Sequence, residues 1–486
     1  MPRPARQGGG SRAGVAGRKL RLRAAVVLGK ATGGMSRRLR LGGGTTLPGD
    51  VARWVDPGVL RAMAGSVRAG TVLVTGTNGK TSTAALLRTI LAESGKVVGG
   101  NPSGSNLIFG LTAAALALSD SQGRIDRDWL VLEVDELSAP QAVAEIRPQG
   151  LVVLNAFRDQ LDRSFEVDQI AERLATATST LPDGGFWVGN ADDPRVAAMA
   201  GETTAAGTRR ILFGLSAGGR DHLPAVSDAS GCPRCRGEME FRVVFYAHCG
   251  LYKCPHCGFQ RPQPQVVASQ VNLAGLDSVE LTLSGSEDGS EGWSVPARVR
   301  LGGLFSAANV AAAAAAASAM GVSPHQIASG ISAFEPAFGR FQVMPWKGVP
   351  IRLMLAKNPA GLEENLTAAL ELDRSPVIAI GLNDLIADGR DVSWIWDVEM
   401  ERLRESRPVT LVVCGRRAHE LALRLAYAGV PQDRVVVLQS ARAALDAVAA
   451  MASPLIPVPA LMTYTAMLEW HQLLGGGGGG GKGGRA

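Results

Sequence analysis

The residues whose types and order most directly specify chemistry are Thr75-Gly76-Thr77-Asn78-Gly79-Lys80-Thr81-Ser82. Two glycines let the backbone turn tightly, so that successive N–H groups point inward at phosphate oxygens. The positive end of a following helix adds to the same field. A lysine at position 80 neutralises charge on the β- and γ-phosphates, and the Thr81 hydroxyl can ligate Mg²⁺. The loop holds two residues fewer between its glycines than the common G-x-x-x-x-G-K-[ST] pattern. An apolar strand before it and a helix after it favour an ATP site over a chance glycine-rich turn.

Glu133-Val134-Asp135-Glu136 closes the apolar run Trp129–Val134. Ligands gather at the carboxyl edge of an open α/β sheet, so carboxylates there can hold Mg²⁺ beside the phosphates. A solvated acidic turn is the competing reading. Cys232/Cys235 and Cys254/Cys257 are two C-x₂-C knuckles 18 residues apart. Four thiolates on two tight turns make a closed tetrahedral site, which suits structural Zn²⁺, with a redox dithiol as the alternative. Cys249, His248 and His256 stand close enough in sequence to compete as ligands, and Cys414 reads as an ordinary core cysteine. Two further polar clusters follow apolar strands, Arg158–Arg163 and Asp388–Asp397. In the second, Trp394 and Trp396 would share one face if the segment were extended.

These groups need elements to position them. Strands are expected at Thr71–Thr75, Trp129–Val134 and Gly150–Leu154, with helices at 80–94 and 168–180, the alternation of an α/β domain with helices on both faces. The alternation breaks near Asp221. The cysteine stretch is read as an insertion, followed by β-like segments at 278–284 and 297–301 and an alanine-rich helix over 306–320. A second α/β alternation starts near Phe341, with strands at 351–355, 377–381, 409–413 and 434–438 and helices at 360–371, 416–428 and 440–451. The expected organisation is a basic arm (1–49), a central ATPase domain (50–335) containing the cysteine insertion (221–265), a smaller Rossmann-like domain (336–474) and a flexible glycine-rich tail (475–486).

Length and composition set limits on this. A chain of 486 residues, 46% hydrophobic and 19% charged, can bury several cores, so wholesale disorder is excluded. It contains no apolar run long enough to span a bilayer. Residues 1–45 carry 11 Lys/Arg and no acid; subtracting them from the net +6 leaves the other 441 residues at −5. The basic character therefore belongs to the arm, which is expected to be a solvated tail or an amphipathic helix, or else a docking element for anionic lipid or a partner. The body is mildly acidic, which weighs against a nucleic-acid-binding function for the cysteine ribbon. Metal-type cysteine spacing points to a reducing compartment, the cytoplasm.

The motifs TNGKTS (77–82), LEVDE (132–136), NAFRDQLDR (155–163), NADDP (190–194) and Gly339-Arg340 together resemble the Mur ligases. GGGTTLPG before the phosphate loop, the Cys₄ insertion, AKNPAG (356–361) and LNDLIADGRDVSWIWD (382–397) narrow the resemblance to the MurT-type synthetase branch, from about residue 42 to about 470. The resemblance implies a Mur ligase-type fold and an ATP-dependent ligase acting through an acyl phosphate. The substrate would be the stem peptide of lipid II, whose D-glutamate α-carboxylate is amidated with ammonia from a separate GatD-type glutaminase. It further implies that Lys80 and Thr81 hold phosphate and Mg²⁺, and that Glu133 helps to coordinate the metal. Asn309 would contact adenine, and Arg340 would lie near ATP. Asp391 would complete a Cys–His–Asp triad whose other members belong to the partner. The implied location is cytoplasmic, at the inner face of the membrane. Ser82, Ser164-Phe165 and Ser306 depart from the usual pattern. The alternatives are an amino-acid-adding ligase of the Mur or folylpolyglutamate type, or a zinc-ribbon nucleic-acid-binding protein.

Overall fold

The computed structural model describes residues 12–39, 46–101, 105–158, 167–202, 207–216, 218–219, 231–286, 292–336, 340–371, 374–406 and 409–476. Its strands are β1 (Gly70–Thr75), β2 (Val98–Gly100), β3 (Trp129–Glu133), β4 (Gly150–Val153), β5 (Phe186–Asn190), β6 (Arg209–Leu215), β7 (Glu240–Tyr246), β8 (Cys249–Lys253), β9 (Val266–Ala274), β10 (Ser278–Gly285), β11 (Trp293–Val299), β12 (Arg340–Trp346), β13 (Val349–Leu355), β14 (Val377–Gly381), β15 (Thr410–Cys414), β16 (Val435–Leu438) and β17 (Val458–Met462).

Nine strands form the first sheet in the order β11-β10-β9-β6-β5-β4-β1-β3-β2. The sheet is parallel from β2 to β9 and antiparallel only at the β9-β10-β11 end. Every residue of β1 is buried, as a parallel strand covered on both faces requires. Alternation assigns its side chains: Val72 and Val74 enter one core, Leu73 the other. The first core is closed by the helix Leu304–Ala319, in which every residue from Ser306 to Ala317 is buried. Its alanines let a helix with high intrinsic propensity lie close to the sheet and to the helix Lys80–Glu93. The second core is closed by helices Leu47–Val55, Val59–Ala64, Ile108–Leu118 and Ala139–Ile146.

Six strands form the second sheet, β12-β13-β17-β14-β15-β16, parallel except for the β12–β13 hairpin. Separate cores cover its two faces, one around Trp394 and one around Trp470. Cys414 is buried at the end of β15 and burial pushes its thiol up to about 12, in keeping with a core cysteine. The hairpin β7–β8 stands apart as a two-stranded sheet, inserted between β6 and β9, which themselves pair in parallel.

One expectation changes and two open ones are decided. Residues 12–39 of the basic arm are a helix, and Ala25 and Val26 within it are fully buried in the second core; residues 1–11 and 40–45 lie outside the described residues. Gly475 and Gly476 end the helix Tyr464–Gly476 rather than opening a tail, and the rest of the expected tail lies outside the described residues. The third concerns the tryptophan pair. Ser393–Asp397 is a 3₁₀-helix and not an extended segment. At three residues per turn, positions two apart diverge, so Trp394 is buried and Trp396 is 46% exposed. No described helix is long and apolar enough to cross a membrane.

Candidate active site

The phosphate loop turns where the carboxyl end of β1 meets the helix Lys80–Glu93. Gly79 has φ 87°, and a Cβ there would lie 2.3 Å from Asn309 Oδ1, so only glycine fits. The loop is tied down from the strand beside it. Asn78 N donates to Asn155 Oδ1 at 2.8 Å, Asn155 Nδ2 donates to Asn78 O at 3.0 Å, and Thr77 N donates to Asn155 O at 3.2 Å. Thr77 Oγ1 donates to Phe157 O and accepts from Phe157 N, both at 3.0 Å. Asn155 and Phe157, from the NAFRD segment, therefore shape the loop; residues 159–166 of that segment lie outside the described residues.

Lys80 folds over the loop. Its Nζ donates to Gly76 O at 2.5 Å and Thr77 O at 3.1 Å, and pairs with Glu136 Oε2 at 3.0 Å. Both ends of this ion pair are buried. Thr81 Oγ1 donates to Glu133 Oε2 at 2.8 Å. The acidic turn thus divides its work, with Glu133 facing the threonine hydroxyl and Glu136 facing the lysine. Asp135 lies between, its carboxyl pushed up by burial and by Glu136, and drawn down by Lys80 and Lys357. Glu133 is held by a residue that the sequence reading missed. Asn101 accepts from Glu133 N at 2.9 Å and donates to Glu133 O at 2.8 Å, as a strand neighbour would. A lone buried Asn after a short strand offers little sequence signal.

Asn309 sits one turn into the alanine-rich helix, against Gly79, and its Oδ1 accepts from Thr83 Oγ1 at 3.4 Å. Ser82 is buried in the first turn of the loop helix. Arg340 begins β12; its side chain and Gly339 lie outside the described residues, while the neighbouring Phe341 stacks on Phe305 at 6.0 Å.

The second domain reaches into this site. Asn358, fully buried, caps the helix Pro359–Glu371 by accepting from Gly361 N at 2.8 Å. The same amide exchanges two hydrogen bonds with Asn78, at 3.3 and 3.0 Å. Arg158 Nη1 also bridges to Asp397 Oδ2 at 2.8 Å. Asp391 is exposed on the second domain. Its Oδ1 accepts from Ser393 N at 2.8 Å, and this bond, with the Ser393 hydroxyl, holds its carboxyl below the usual range. The loop carrying it is fixed by buried Asp388, which accepts from Thr465 N at 2.7 Å and Thr465 Oγ1 at 2.5 Å. The structure therefore groups Lys80, Thr81, Glu133 and Asn309, whereas the contacts that hold Asp391 are those with Ser393.

The Sγ atoms of Cys232, Cys235, Cys254 and Cys257 all lie within 4.8 Å of one another. Cys232–Cys257 and Cys235–Cys254 are 3.6 and 3.5 Å apart. Sulfurs about 2.3 Å from a tetrahedral centre would be about 3.8 Å apart, so the donor set and its spacing fit zinc. Cys249 and His248 take no part. Cys249 is buried near Asn190 Nδ2, and His248 Nε2 faces Asp193 Oδ2 at 3.4 Å. The NADDP segment docks the hairpin: Asn190 Nδ2 donates to Tyr246 OH at 3.0 Å, Gly250 N donates to Asp192 O at 2.9 Å, and Arg261 grips Asp192 Oδ1 at 2.7 Å.

Comparison with known proteins agrees with this fold. The family model described as Mur ligase middle domain matches residues 74–231, and the MurT ligase C-terminal model matches residues 355–467. The chain is 32% identical over 396 residues to the MurT subunit of lipid II isoglutaminyl synthase (glutamine-hydrolyzing) from Staphylococcus aureus, covering 81% of this chain and 85% of that protein. It is 31% identical over 436 residues to the MurT subunit from Streptococcus pneumoniae, covering 90% and 93%. Among solved structures, a pseudomurein peptide ligase type C from Methanothermus fervidus superposes with a TM-score of 0.63 at 20% identity, covering 85% of this chain and 80% of that one. This last likeness speaks for the fold.

Proposed function

The chain belongs to the MurT family of Mur ligase-type enzymes, and from that premise we propose that it amidates the D-glutamate α-carboxylate of the lipid II stem peptide. The observation that carries the proposal is the loop itself, with Lys80–Glu136 and Thr81–Glu133 paired at its mouth and Asn358 of the second domain bonded to Asn78.

ATP is read as the phosphoryl donor. Loop N–H groups and the helix N-terminus would receive its phosphates, with Lys80 released from the loop carbonyls to neutralise the transferring group. Thr81 and Glu133 supply the oxygen donors that suit Mg²⁺, which when bound would disperse phosphate charge. Glu136 holds Lys80 at the mouth of the loop. Asn309, beside Gly79, is proposed to contact adenine, and Arg340 to lie near ATP. The α-carboxylate oxygen attacks the γ-phosphorus and ADP departs. Ammonia then attacks the carbonyl carbon of the acyl phosphate, inorganic phosphate leaves, and the nitrogen sheds a proton, giving D-isoglutamine. The MurT names of the relatives describe a subunit of a glutamine-hydrolysing synthase. The ammonia is therefore assigned to a GatD-type glutaminase, and Asp391, exposed and with its carboxyl held below the usual range, is proposed to complete that partner's Cys–His pair. Cys232, Cys235, Cys254 and Cys257 would hold a structural zinc. A lipid-anchored acceptor places the reaction at the inner membrane surface.

The test is mass spectrometry of lipid II incubated with this chain, ATP and Mg²⁺, with glutamine plus the glutaminase or with ammonium salt. Exchange of one hydroxyl for an amino group is expected, dependent on ATP and on either nitrogen source. A gain of an amino-acid residue mass would establish an amino-acid-adding ligase instead, and an unchanged substrate in every arm would reject the proposal.

A further inference from the structure

The helix Arg12–Leu39 has two apolar stripes on opposite sides. One, through Ala25, Val26, Gly29 and Gly33, is buried; Gly29 sits against Ala52 and Leu116, and Gly33 against Pro48. The other faces away. Leu20, Ala24, Val27, Leu28, Ala31 and Met35 recur at spacings of three and four residues, which places them on one line along a helix. Its large members are open: Leu20 is 71% exposed, Val27 54%, Leu28 48% and Met35 61%.

Charge borders that outward stripe on both sides. At 100° per residue, the exposed Arg23 falls along one edge and Arg21 along the other, while Lys30, on Arg23's edge, turns its Nζ to Ser119 O. Across Arg12–Leu39 there are eight Lys/Arg and no Asp or Glu. Arg21 Nε donates to Val55 O at 2.8 Å, fixing the helix beside the end of Leu47–Val55, where Trp54 is 85% exposed. The rest of the chain beyond residue 45 has the opposite net sign, so the positive charge is concentrated on this one element.

We propose that this face docks the protein on an anionic lipid bilayer. The helix would lie in the interfacial plane, with its outward stripe among the acyl chains and its flanking cations at the headgroups. An apolar line bordered by cations and free of acids is complementary to a surface with negative headgroups over a hydrocarbon interior. A second copy of the same chain is a poorer occupant, because a two-fold contact through this face would set cations against cations. The helix is held flat by its buried stripe, and no described helix is suited to crossing the bilayer, so the contact is peripheral. This inference does not depend on the reaction proposed above.

The test is flotation of the full chain with large unilamellar vesicles of phosphatidylcholine and phosphatidylglycerol, 3:1 in molar terms, against vesicles of phosphatidylcholine alone. The protein is expected to float with the anionic vesicles, less so as salt rises, and Leu20→Glu/Val27→Glu is expected to weaken partitioning by roughly tenfold or more. Both positions are exposed, and an unchanged thermal midpoint checks that the variant is folded. Independently, bromine-labelled lipid in the anionic vesicles should quench emission in the unaltered chain more than in Trp54→Phe. Failure of the unaltered chain to float with anionic vesicles overturns the proposal, as does equal binding by a folded double variant. So does a double variant that only converts a dimer to a monomer, which would assign the face to self-association.

Discussion

The side-chain amides of Asn78 and Asn358 exchange two hydrogen bonds across 280 residues of sequence, at 3.3 and 3.0 Å. One lies in the phosphate loop and the other caps the first helix of the second domain. The bonds join the loop proposed to hold phosphate to the second domain. Each neutral hydrogen bond is worth about 0.5–1.5 kcal/mol net, enough to bias the position of the domains without locking them.

Asn358→Ala removes this pair together with a helix cap worth about 1 kcal/mol. The expected result is a kcat lowered on the order of tenfold, with the fold retained. Steady-state amidation beside circular dichroism checks it, and an unchanged kcat would mean that the pair is incidental to closure.

Lys80→Met leaves Glu136 buried without its cation. Breaking a buried pair costs about 3–5 kcal/mol, whereas replacing both partners by apolar groups costs much less. Lys80→Met is therefore expected to lose both activity and stability in urea titrations. Lys80→Met/Glu136→Met should regain most of the stability and none of the activity. Equal loss in the single and double variants would count against the coupling.

Asp192 is fully buried and, chiefly through burial, its carboxyl is pushed up to about 6 despite Arg261. Unfolded, it titrates near 3.9, about the usual carboxylate value. The folded state therefore holds a proton that the unfolded state has released between those values. Its contribution to stability is complete below about pH 4 and is lost as pH rises toward 6. Relative to the unaltered protein, Asp192→Asn should gain in thermal midpoint as pH is raised across that window. A constant difference would refute the shift.

Removing the metal from the four-cysteine cluster should loosen the β7–β8 hairpin, since structural zinc supplies folding free energy directly. One zinc per chain is expected by metal analysis. Chelation or Cys232→Ser/Cys254→Ser should lower the thermal midpoint and speed hydrogen exchange at Tyr246 and Gly250, where the hairpin meets Asn190 and Asp192. Absence of zinc from freshly purified protein would contradict the assignment.

Asp391→Asn should abolish glutamine-driven amidation in the presence of the glutaminase while sparing the ammonia-driven reaction and ATP hydrolysis. Asp391 is exposed, and its charge is fixed locally by Ser393. Equal loss with both nitrogen sources would place it in the synthetase chemistry instead.

Local pattern made much of this legible. The apolar run 71–75 followed by Gly76 and Gly79 marks β1, the loop and the helix almost to the residue, because a buried parallel strand and a glycine turn leave few alternatives. The four cysteines, two knuckles apart in sequence, converge in space. What was not legible depends on tertiary partners. Nothing local tells Glu133 from Glu136, since the division is set by which faces Thr81 and which Lys80. Asn101 and Asn358 are single amides whose roles come from elements far away in the chain. Whether Trp394 and Trp396 share a face depends on whether the segment is extended, which pattern leaves open; Ser393–Asp397 forms a 3₁₀ turn that sends Trp394 into the core and leaves Trp396 exposed.

The central claim is that ATP activates the α-carboxylate of the stem-peptide glutamate. Lipid II carrying ¹⁸O in that carboxylate, incubated with the chain, ATP, Mg²⁺ and ammonia, tests it most directly. An acyl phosphate requires one labelled oxygen to leave with phosphorus, so the account predicts one ¹⁸O in inorganic phosphate for each amide formed. Amide formation with unlabelled phosphate would contradict it.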